Sequence, residues 1–263
     1  MKQALIYLIL LCLSSSAEEN TQTPFFAFLN GIPSFSSFDE EAKVLKELGY
    51  DGISQIFGGG DALTQRMAAY EKVGLKVLSI YRSANVKAIA PAALKALENR
   101  GCIIELTVPK ITPEIIASIR QTTENASKMN IRVALYPHAG FAVATIPQAM
   151  ELINQVNHPN LGIMFNLCHF LKNEKAEDLE KTLALCAPQL FAVSTSGADI
   201  DGKNWPTLIQ TLDKGTFPQE RLFRVLKKLN FEGPVSLQGY GIKGNKLDNI
   251  TRSIRAWKAL KIK

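Results

Sequence analysis

The stretch from Ile131 to Asn166, IRVALYPHAGFAVATIPQAMELINQVNHPNLGIMFN, contains the repeating unit that decides the fold. Residues 131–136 and 160–166 are short apolar runs that read as buried strands. Residues 147–156, which lie between them, read as a helix. A strand, a helix and a second strand in this order predict a parallel βαβ unit.

The same alternation extends outward from this stretch in both directions. We expect strands over 25–29, 50–57, 76–81, 102–108, 131–136, 160–166, 190–196 and 234–238. We expect helices over 39–48, 62–73, 86–99, 112–129, 147–156, 174–186, 218–229 and 247–260. Eight strand–helix units with short connections predict an α/β fold, a single (β/α)8 barrel of the TIM type. A doubly wound sheet fits less well, because the fingerprint G-x-G-x-x-G does not follow the first strand.

Composition is that of an ordinary globular protein. The chain has 263 residues, of which 46% are hydrophobic and 21% are charged. The net charge of +6 is spread along the chain without a basic cluster. We therefore expect a small-molecule ligand and no nucleic-acid partner, while some attraction to anionic substrates stays open. The oligomeric state does not follow from the sequence.

The first residues have the pattern of a secretory signal peptide. A basic start is followed by the apolar run 4–13 and by small residues that end at Ala17. We expect residues 1–17 to be removed, leaving an exported barrel over 18–263 with no membrane association after cleavage. An odd number of cysteines then remains, so at least one thiol is free: Cys102, Cys168 and Cys186.

Polar side chains follow the carboxyl ends of the predicted strands, where (β/α)8 enzymes carry their chemistry. Two of the three histidines, His138 and His169, fall on this rim, whereas His158 precedes a strand at the opposite end. The other strand-end candidates are Glu105, Tyr136, Asn166, Ser194 and Gln238. Glu105 is equally well explained as a buried, paired residue inside the barrel.

Two loops add further candidates. Trp205 could stack on a sugar face or pack its own loop, and Asp199 could serve as a base. Lys243 lies in the glycine-rich stretch 239–244, which fits either an anion site or a tight turn.

Four motifs carry a resemblance to a known family. The stretches LGYDGI (48–53), YPHAGF (136–141), HPNLGIMFNLCHF (158–170) and GPVSLQGYG (233–241) resemble the xylose-isomerase-like barrels, a family of sugar isomerases and epimerases. The resemblance implies one divalent metal at the barrel mouth, held by carboxylates and a histidine. At the four corresponding positions this sequence has Tyr136, Asn166, Ser194 and Gln238. The endonucleases of the superfamily need a histidine-rich zinc cluster, which three histidines do not supply.

Amides in place of carboxylates keep the hydrogen-bonding capacity and remove the charge that a hard cation needs. We expect no metal cofactor, although a transition metal on His138 and His169 stays open. The first hypothesis is a sugar isomerase- or epimerase-like barrel in which His169 and His138 are catalytic. Tyr136, Asn166, Ser194, Gln238, Glu105, Asp199, Lys243 and Trp205 would then contact the substrate. The alternatives are a non-catalytic carbohydrate-binding protein and a metal-free lyase that acts on an oxidised sugar.

Overall fold

The computed structural model describes residues 23–57 and 59–260 of the chain. The predicted signal peptide, residues 1–17, lies outside these ranges. In the described part, eight parallel strands follow one another as predicted. They are β1 (Phe25–Phe28), β2 (Gly52–Ser54), β3 (Lys76–Val77 and Ser79–Ser83, interrupted at Leu78), β4 (Ile103–Thr107), β5 (Arg132–Leu135), β6 (Leu161–Asn166), β7 (Leu190–Thr195) and β8 (Val235–Leu237).

Backbone pairing joins the strands into a barrel. Each strand from β3 to β8 pairs in parallel with the next, and β8 pairs with β1 through Phe26 and Ser236. Strand β2 pairs with the first part of β3, and a bridge between Ile56 and Ile80 extends this contact to the second part. The predicted (β/α)8 architecture is therefore confirmed.

Helices cover the outside of the sheet. Ser37, Thr112 and Thr145 cap the helices that follow them, each through a side-chain oxygen that accepts a backbone N–H. The helices are α1 (Phe38–Leu48), α2 (Gly60–Lys72), α3 (Pro91–Leu94), α4 (Pro113–Ser127), α5 (Ile146–Val156), α6 (Leu167–Asn173), α7 (Leu179–Cys186), α8 (Trp205–Leu208), α9 (Gln219–Lys228) and α10 (Lys246–Ala259). Among these helices, none is long and apolar enough to span a bilayer.

The helix predicted over 86–99 is wrong over most of its length. Only α3 and a 3-10 turn over Lys95–Leu97 form there. The start of the segment is held in an extended path, because Ile89 donates its N–H to Thr122 and accepts a bond from Asn125, both on α4. Pro91 then begins the short helix at a position where a missing N–H does no harm.

Two apolar clusters hold the barrel together. The larger lies between the sheet and the helices, and the smaller fills the inside of the barrel. The inner cluster consists of Phe26, Leu78, Ile103, Ala134, Tyr136, Met164 and Ala192. Because side chains on a strand alternate between faces, the residues two positions further along also point inward. The inward positions at the carboxyl ends of β4 to β7 are thus Glu105, Tyr136, Asn166 and Ser194.

Gly52 allows β2 and β3 to approach closely. Its φ is +151°, and a Cβ atom there would lie 1.8 Å from the carbonyl oxygen of Lys76. Because that oxygen belongs to the backbone of a paired strand, it has no room to move. The absence of a side chain at position 52 is therefore a condition for closing the sheet between these strands.

We expect Gly52→Ala to lower the free energy of unfolding by at least about 3 kcal/mol, since the added methyl group separates β2 from β3. Gly101→Ala is the matched control, because Gly101 also has a positive φ but a Cβ atom added there would meet nothing within 4 Å. The control should lose only about 1–2 kcal/mol through backbone strain. Urea unfolding curves measure both values, and equal losses would contradict the role given to the close approach.

Candidate functional site

A cavity of about 400 Å³ opens at the carboxyl end of the barrel. Its size is within the range of small-molecule sites. Among the described residues that line it there is no Asp, Glu, Lys or Arg. The lining consists of Phe28, Asn30, Gln55, Phe57, Tyr81, Tyr136, His138, Ala139, His169, Trp205, Ile209, Gln238 and Tyr240. Rings and amides therefore dominate the surface that a ligand would meet.

The hydroxyl of Tyr136 is the meeting point of the polar groups at the base of this cavity. It accepts a hydrogen bond from Asn166 Nδ2 at 2.5 Å and another from Gln238 Nε2 at 3.3 Å. Gln55 also interacts with it through a side-chain hydrogen bond. Burial raises the pKa of Tyr136 well above its usual value, so the phenol stays neutral.

Each of the two amides bonds to the protein through both its oxygen and its nitrogen. Asn166 Oδ1 accepts the backbone N–H of Cys168 at 3.0 Å and so caps α6. Gln238 Oε1 accepts the backbone N–H of Tyr240 at 3.0 Å, in the loop after β8. The amide oxygens thus fix the two loops, while the amide nitrogens fix Tyr136.

The two histidines are linked through the peptide groups of Ala139. His138 Nδ1 lies 3.0 Å from the carbonyl oxygen of Ala139, and the N–H of Ala139 lies 3.2 Å from His169 Nδ1. A carbonyl only accepts and an N–H only donates, so His138 carries its proton on Nδ1 and neutral His169 carries its proton on Nε2. This leaves His138 Nε2 as an acceptor and His169 Nε2 as a donor.

Burial keeps both imidazoles uncharged. It lowers the pKa of His169 to about 3, with a further contribution from the nearby His138, and it lowers the pKa of His138 as well. The ring centroids of the pair are 4.2 Å apart. Trp205 lies edge-on to His169 at 5.2 Å, and Phe141 stacks on His138 at 4.4 Å. The aromatic neighbours thus orient the pair.

Glu105 lies behind Gln55, without solvent exposure. Its Oε2 accepts a hydrogen bond from Gln55 Nε2 at 2.6 Å, while its Oε1 has no partner. Desolvation raises the pKa of Glu105 to about 7, against the lowering effect of hydrogen bonds from Ser79 and Gln55. Gln55 itself has a φ of +59°, an uncommon conformation outside glycine.

The structure brings five of the ten candidate site residues to the cavity wall. These are Tyr136, His138, His169, Trp205 and Gln238.

The other five lie elsewhere. Asn166 and Glu105 are one contact behind the wall, and Ser194 is buried on β7 without lining the cavity. Asp199 lies outside the cavity, where its Oδ1 accepts the N–H of Thr216. Lys243 lies on a separate surface depression beside α10.

Three apolar wall residues, Phe28, Phe57 and Ile209, were not among the sequence candidates. Gln55 and Tyr81, which lie near the ends of predicted strands, complete the wall next to Tyr136. The period of two along β1 places Phe28 on the same face as Phe26, so this position was accessible to sequence reasoning. Ile209 lies in a loop whose path no periodic pattern indicates.

No three side chains of His, Cys, Asp or Glu within 23–57 and 59–260 come together as a group that could hold a metal ion. The thiols of Cys102, Cys168 and Cys186 are free and buried. The polar atoms at the base of the barrel are instead bonded to one another.

A family model described as the xylose isomerase-like TIM barrel matches residues 108–260, which is more than half of the chain. The chain belongs to this family. Its relatives include a probable ketose 3-epimerase from Synechocystis sp., 22% identical over 146 residues. That alignment covers 54% of this chain and 46% of the relative, so the chain matches less than half the length of that protein.

Solved structures of this family share the fold at low sequence identity. The 3-keto-D-glucoside 4-epimerase from E. coli superimposes with a TM-score of 0.69 at 19% identity, covering 89% of this chain and 98% of that one. An L-ribulose 3-epimerase superimposes with a TM-score of 0.71 at 11% identity, covering 90% and 93%. These superpositions show that the chain shares the fold of the xylose isomerase-like TIM barrels.

The raised pKa of Glu105 has a consequence for stability. The folded protein holds the Glu105 proton up to about pH 7, whereas the unfolded chain releases it near its usual value of 4.5. The contribution of Glu105 to the free energy of unfolding is therefore fully present below pH 4.5 and is lost as the pH rises through 7.

We expect the difference in unfolding free energy between the wild type and Glu105→Gln to fall by roughly 3 kcal/mol from pH 4.5 to pH 8.5. Glutamine keeps the shape and can still bond Gln55, so the comparison isolates the charge. Urea unfolding of both proteins at several pH values measures the difference. A difference that does not change with pH would show that Glu105 ionises without cost.

Proposed function

We propose that this chain binds a sugar derivative bearing a carbonyl group at the barrel mouth and moves a proton next to that carbonyl without a divalent cation. The observation that carries the proposal is the opposite protonation of His138 and His169, which is set by the peptide groups of Ala139. An acceptor and a donor, side by side on one cavity wall, are the two groups that such a reaction needs. The similarity to a probable ketose 3-epimerase supports a carbonyl-bearing sugar as substrate.

His138 and His169 have different roles in this proposal. His138 Nε2 takes the proton from the carbon next to the carbonyl and becomes an imidazolium. The negative charge that develops on the carbonyl oxygen is stabilised by a hydrogen bond from His169 Nε2–H, as a neutral imidazole can do. In an isomerisation, His138 returns the proton to the former carbonyl carbon, while the proton of the neighbouring hydroxyl passes to the former carbonyl oxygen by way of His169 Nε2. In an epimerisation, the enol turns over in the cavity before His138 returns the proton to the same carbon, because His138 lies on one face only.

The residues at the base of the barrel do not fit the divalent cation that the family resemblance implies. The oxygen of Asn166 caps α6, the oxygen of Gln238 bonds the loop after β8, and Tyr136 accepts both amide nitrogens. A hard cation needs anionic oxygens to offset its dehydration, and these oxygens are neutral and already bonded. We infer that the phenol–amide cluster takes the place of a metal site.

A non-catalytic carbohydrate-binding protein is the second candidate. It is favoured by the lining of the cavity, in which no described residue is an Asp or Glu that could act as an acid or base on a bound sugar. The two candidates differ in one observable, the exchange of a sugar proton with solvent.

We expect a panel of ketoses and keto-sugars incubated with the protein in D2O to exchange the proton next to the carbonyl, with equal rates in EDTA and in Mn2+. NMR measures the exchange. His138→Asn and His169→Asn should each slow it by about 100-fold or more, since each removes a proton-transfer or electrophilic group. His158→Asn is the matched control, because His158 lies before β6 at the opposite end of the barrel.

Each alternative result has a distinct meaning. Exchange that requires Mn2+ contradicts the metal-free proposal. Binding without exchange supports the carbohydrate-binding alternative, and loss of the sugar with formation of an unsaturated product supports the lyase alternative. Exchange that persists in both histidine variants contradicts the roles assigned to the pair.

We also propose that the protein is exported. The basic start, the apolar run 4–13 and the small residues up to Ala17 support this. Expression of the full chain in a bacterial host should yield a mature protein that begins at Glu18, which mass spectrometry of the purified protein measures. Recovery of the intact chain from the cytoplasmic fraction alone would contradict export.

A further inference from the structure

The mouth cavity has no ionic group with which to bind a charged ligand. Its described lining contains neither acidic nor basic side chains, and burial keeps His138 and His169 neutral. A phosphate or carboxylate placed there would lose its hydration without meeting a counter-charge.

Three cations of the mouth loops donate to backbone carbonyls, and one of them, Lys172, also has its Nζ 5.8 Å from the centroid of the Trp205 ring. Lys172 donates to the carbonyl of Lys203 at 2.6 Å, and Lys246 donates to that of Asn30 at 3.0 Å. Arg82 donates through Nη1 to the carbonyls of Phe57 and Tyr81. These side chains brace the loops of the mouth, and none of the three forms part of the cavity wall.

Polar and apolar surface are separated by depth. The base presents Tyr136, Gln238 and Gln55, all almost fully buried and rich in hydrogen-bonding groups. The rim presents three large rings that are still open to solvent: Phe57 at 44% exposure, Trp205 at 38% and Tyr240 at 61%. Exposed rings grouped around one opening are an uncommon surface feature and indicate a contact that covers them.

Two of the three rings are held in position before any ligand arrives. Phe57 lies edge-on to Tyr81 with centroids 5.3 Å apart, and Trp205 lies edge-on to His169 at 5.2 Å. Rings fixed in this way lose little freedom on binding, which makes them efficient stacking surfaces.

We propose that the ligand is an uncharged glycoside whose sugar ring carries a keto group, with that ring at the base of the cavity and an aglycone with an apolar face between the three rim rings. This inference rests on the proposed function, because it assigns a substrate class to the same site. It excludes sugar phosphates and sugar acids as preferred ligands.

Calorimetric titration of the protein tests the inference with phenyl and methyl keto-glycosides, in which one ring hydroxyl of glucose, galactose or mannose is oxidised to a ketone, and with the corresponding free keto-sugars and their 6-phosphates. For the sugar that binds, the phenyl glycoside should bind about three- to tenfold more tightly than the methyl glycoside. The 6-phosphate should bind at least about tenfold more weakly than the free sugar.

Rim variants make the test specific. Phe57→Ser and Tyr240→Ser should bring the ratio of phenyl to methyl affinity close to one, whereas Leu185→Ser, an exposed apolar position on α7, should leave it unchanged. Tyr240→Lys adds a cation at the rim and should raise the affinity for the 6-phosphate by about tenfold.

The outcomes separate the inference from the proposed function. Tighter binding of a 6-phosphate than of the free sugar overturns the uncharged class and leaves the proposed function in place. Equal binding of phenyl and methyl glycosides overturns the aglycone site. Heat from none of the glycosides overturns this inference, whereas the proposed function is overturned only if no ketose or keto-sugar exchanges its proton in D2O.

Discussion

The pair of hydrogen bonds on the hydroxyl of Tyr136 is the interaction on which the barrel mouth depends. Asn166 comes from the end of β6, Gln238 follows β8, and Tyr136 follows β5. Each group is buried, and a buried polar group without a partner costs about 1–3 kcal/mol. Each of the three side chains therefore requires the others as hydrogen-bond partners. The amide oxygens of Asn166 and Gln238 in turn fix the loops that follow β6 and β8. An Asn166→Asp substitution on its own would place an unpaired charge beside a neutral phenol.

One physical cause, desolvation, raises the pKa of Glu105 and lowers the pKa of His169. It keeps a proton on Glu105 up to about pH 7 and keeps a second proton off His169 down to about pH 3. Both shifts favour the neutral form, as burial in a medium of low dielectric requires. The two imidazoles are consequently uncharged at neutral pH and Glu105 loses its proton only around pH 7, although the chain as a whole carries a net charge of +6. The basic character belongs to the outer surface and says little about the ligand.

Sequence reasoning located the strands better than the loops, for physical reasons. The alternation of side chains along a strand determines which residues face the interior of the barrel. Glu105, Tyr136 and Asn166 could therefore be placed at inward positions from the sequence. The segment 86–90 has helical composition, but tertiary bonds from Thr122 and Asn125 hold it extended. Short helix α6 was missed because its cap, Asn166, was interpreted as a ligand-contacting residue. Asp199 and Lys243 follow strands in sequence, yet their loops carry them away from the opening.

The bridge between the two imidazoles is made by main-chain atoms alone. Ala139 contributes its N–H and its carbonyl, and its methyl group takes no part in either bond. Any residue other than proline supplies the same two atoms, provided that the turn keeps its path. The protonation pattern of the histidines is thus set by the backbone conformation at this turn rather than by the identity of residue 139. Comparison of distant relatives by side-chain identity would overlook it, whereas comparison of backbone geometry at this turn would detect it.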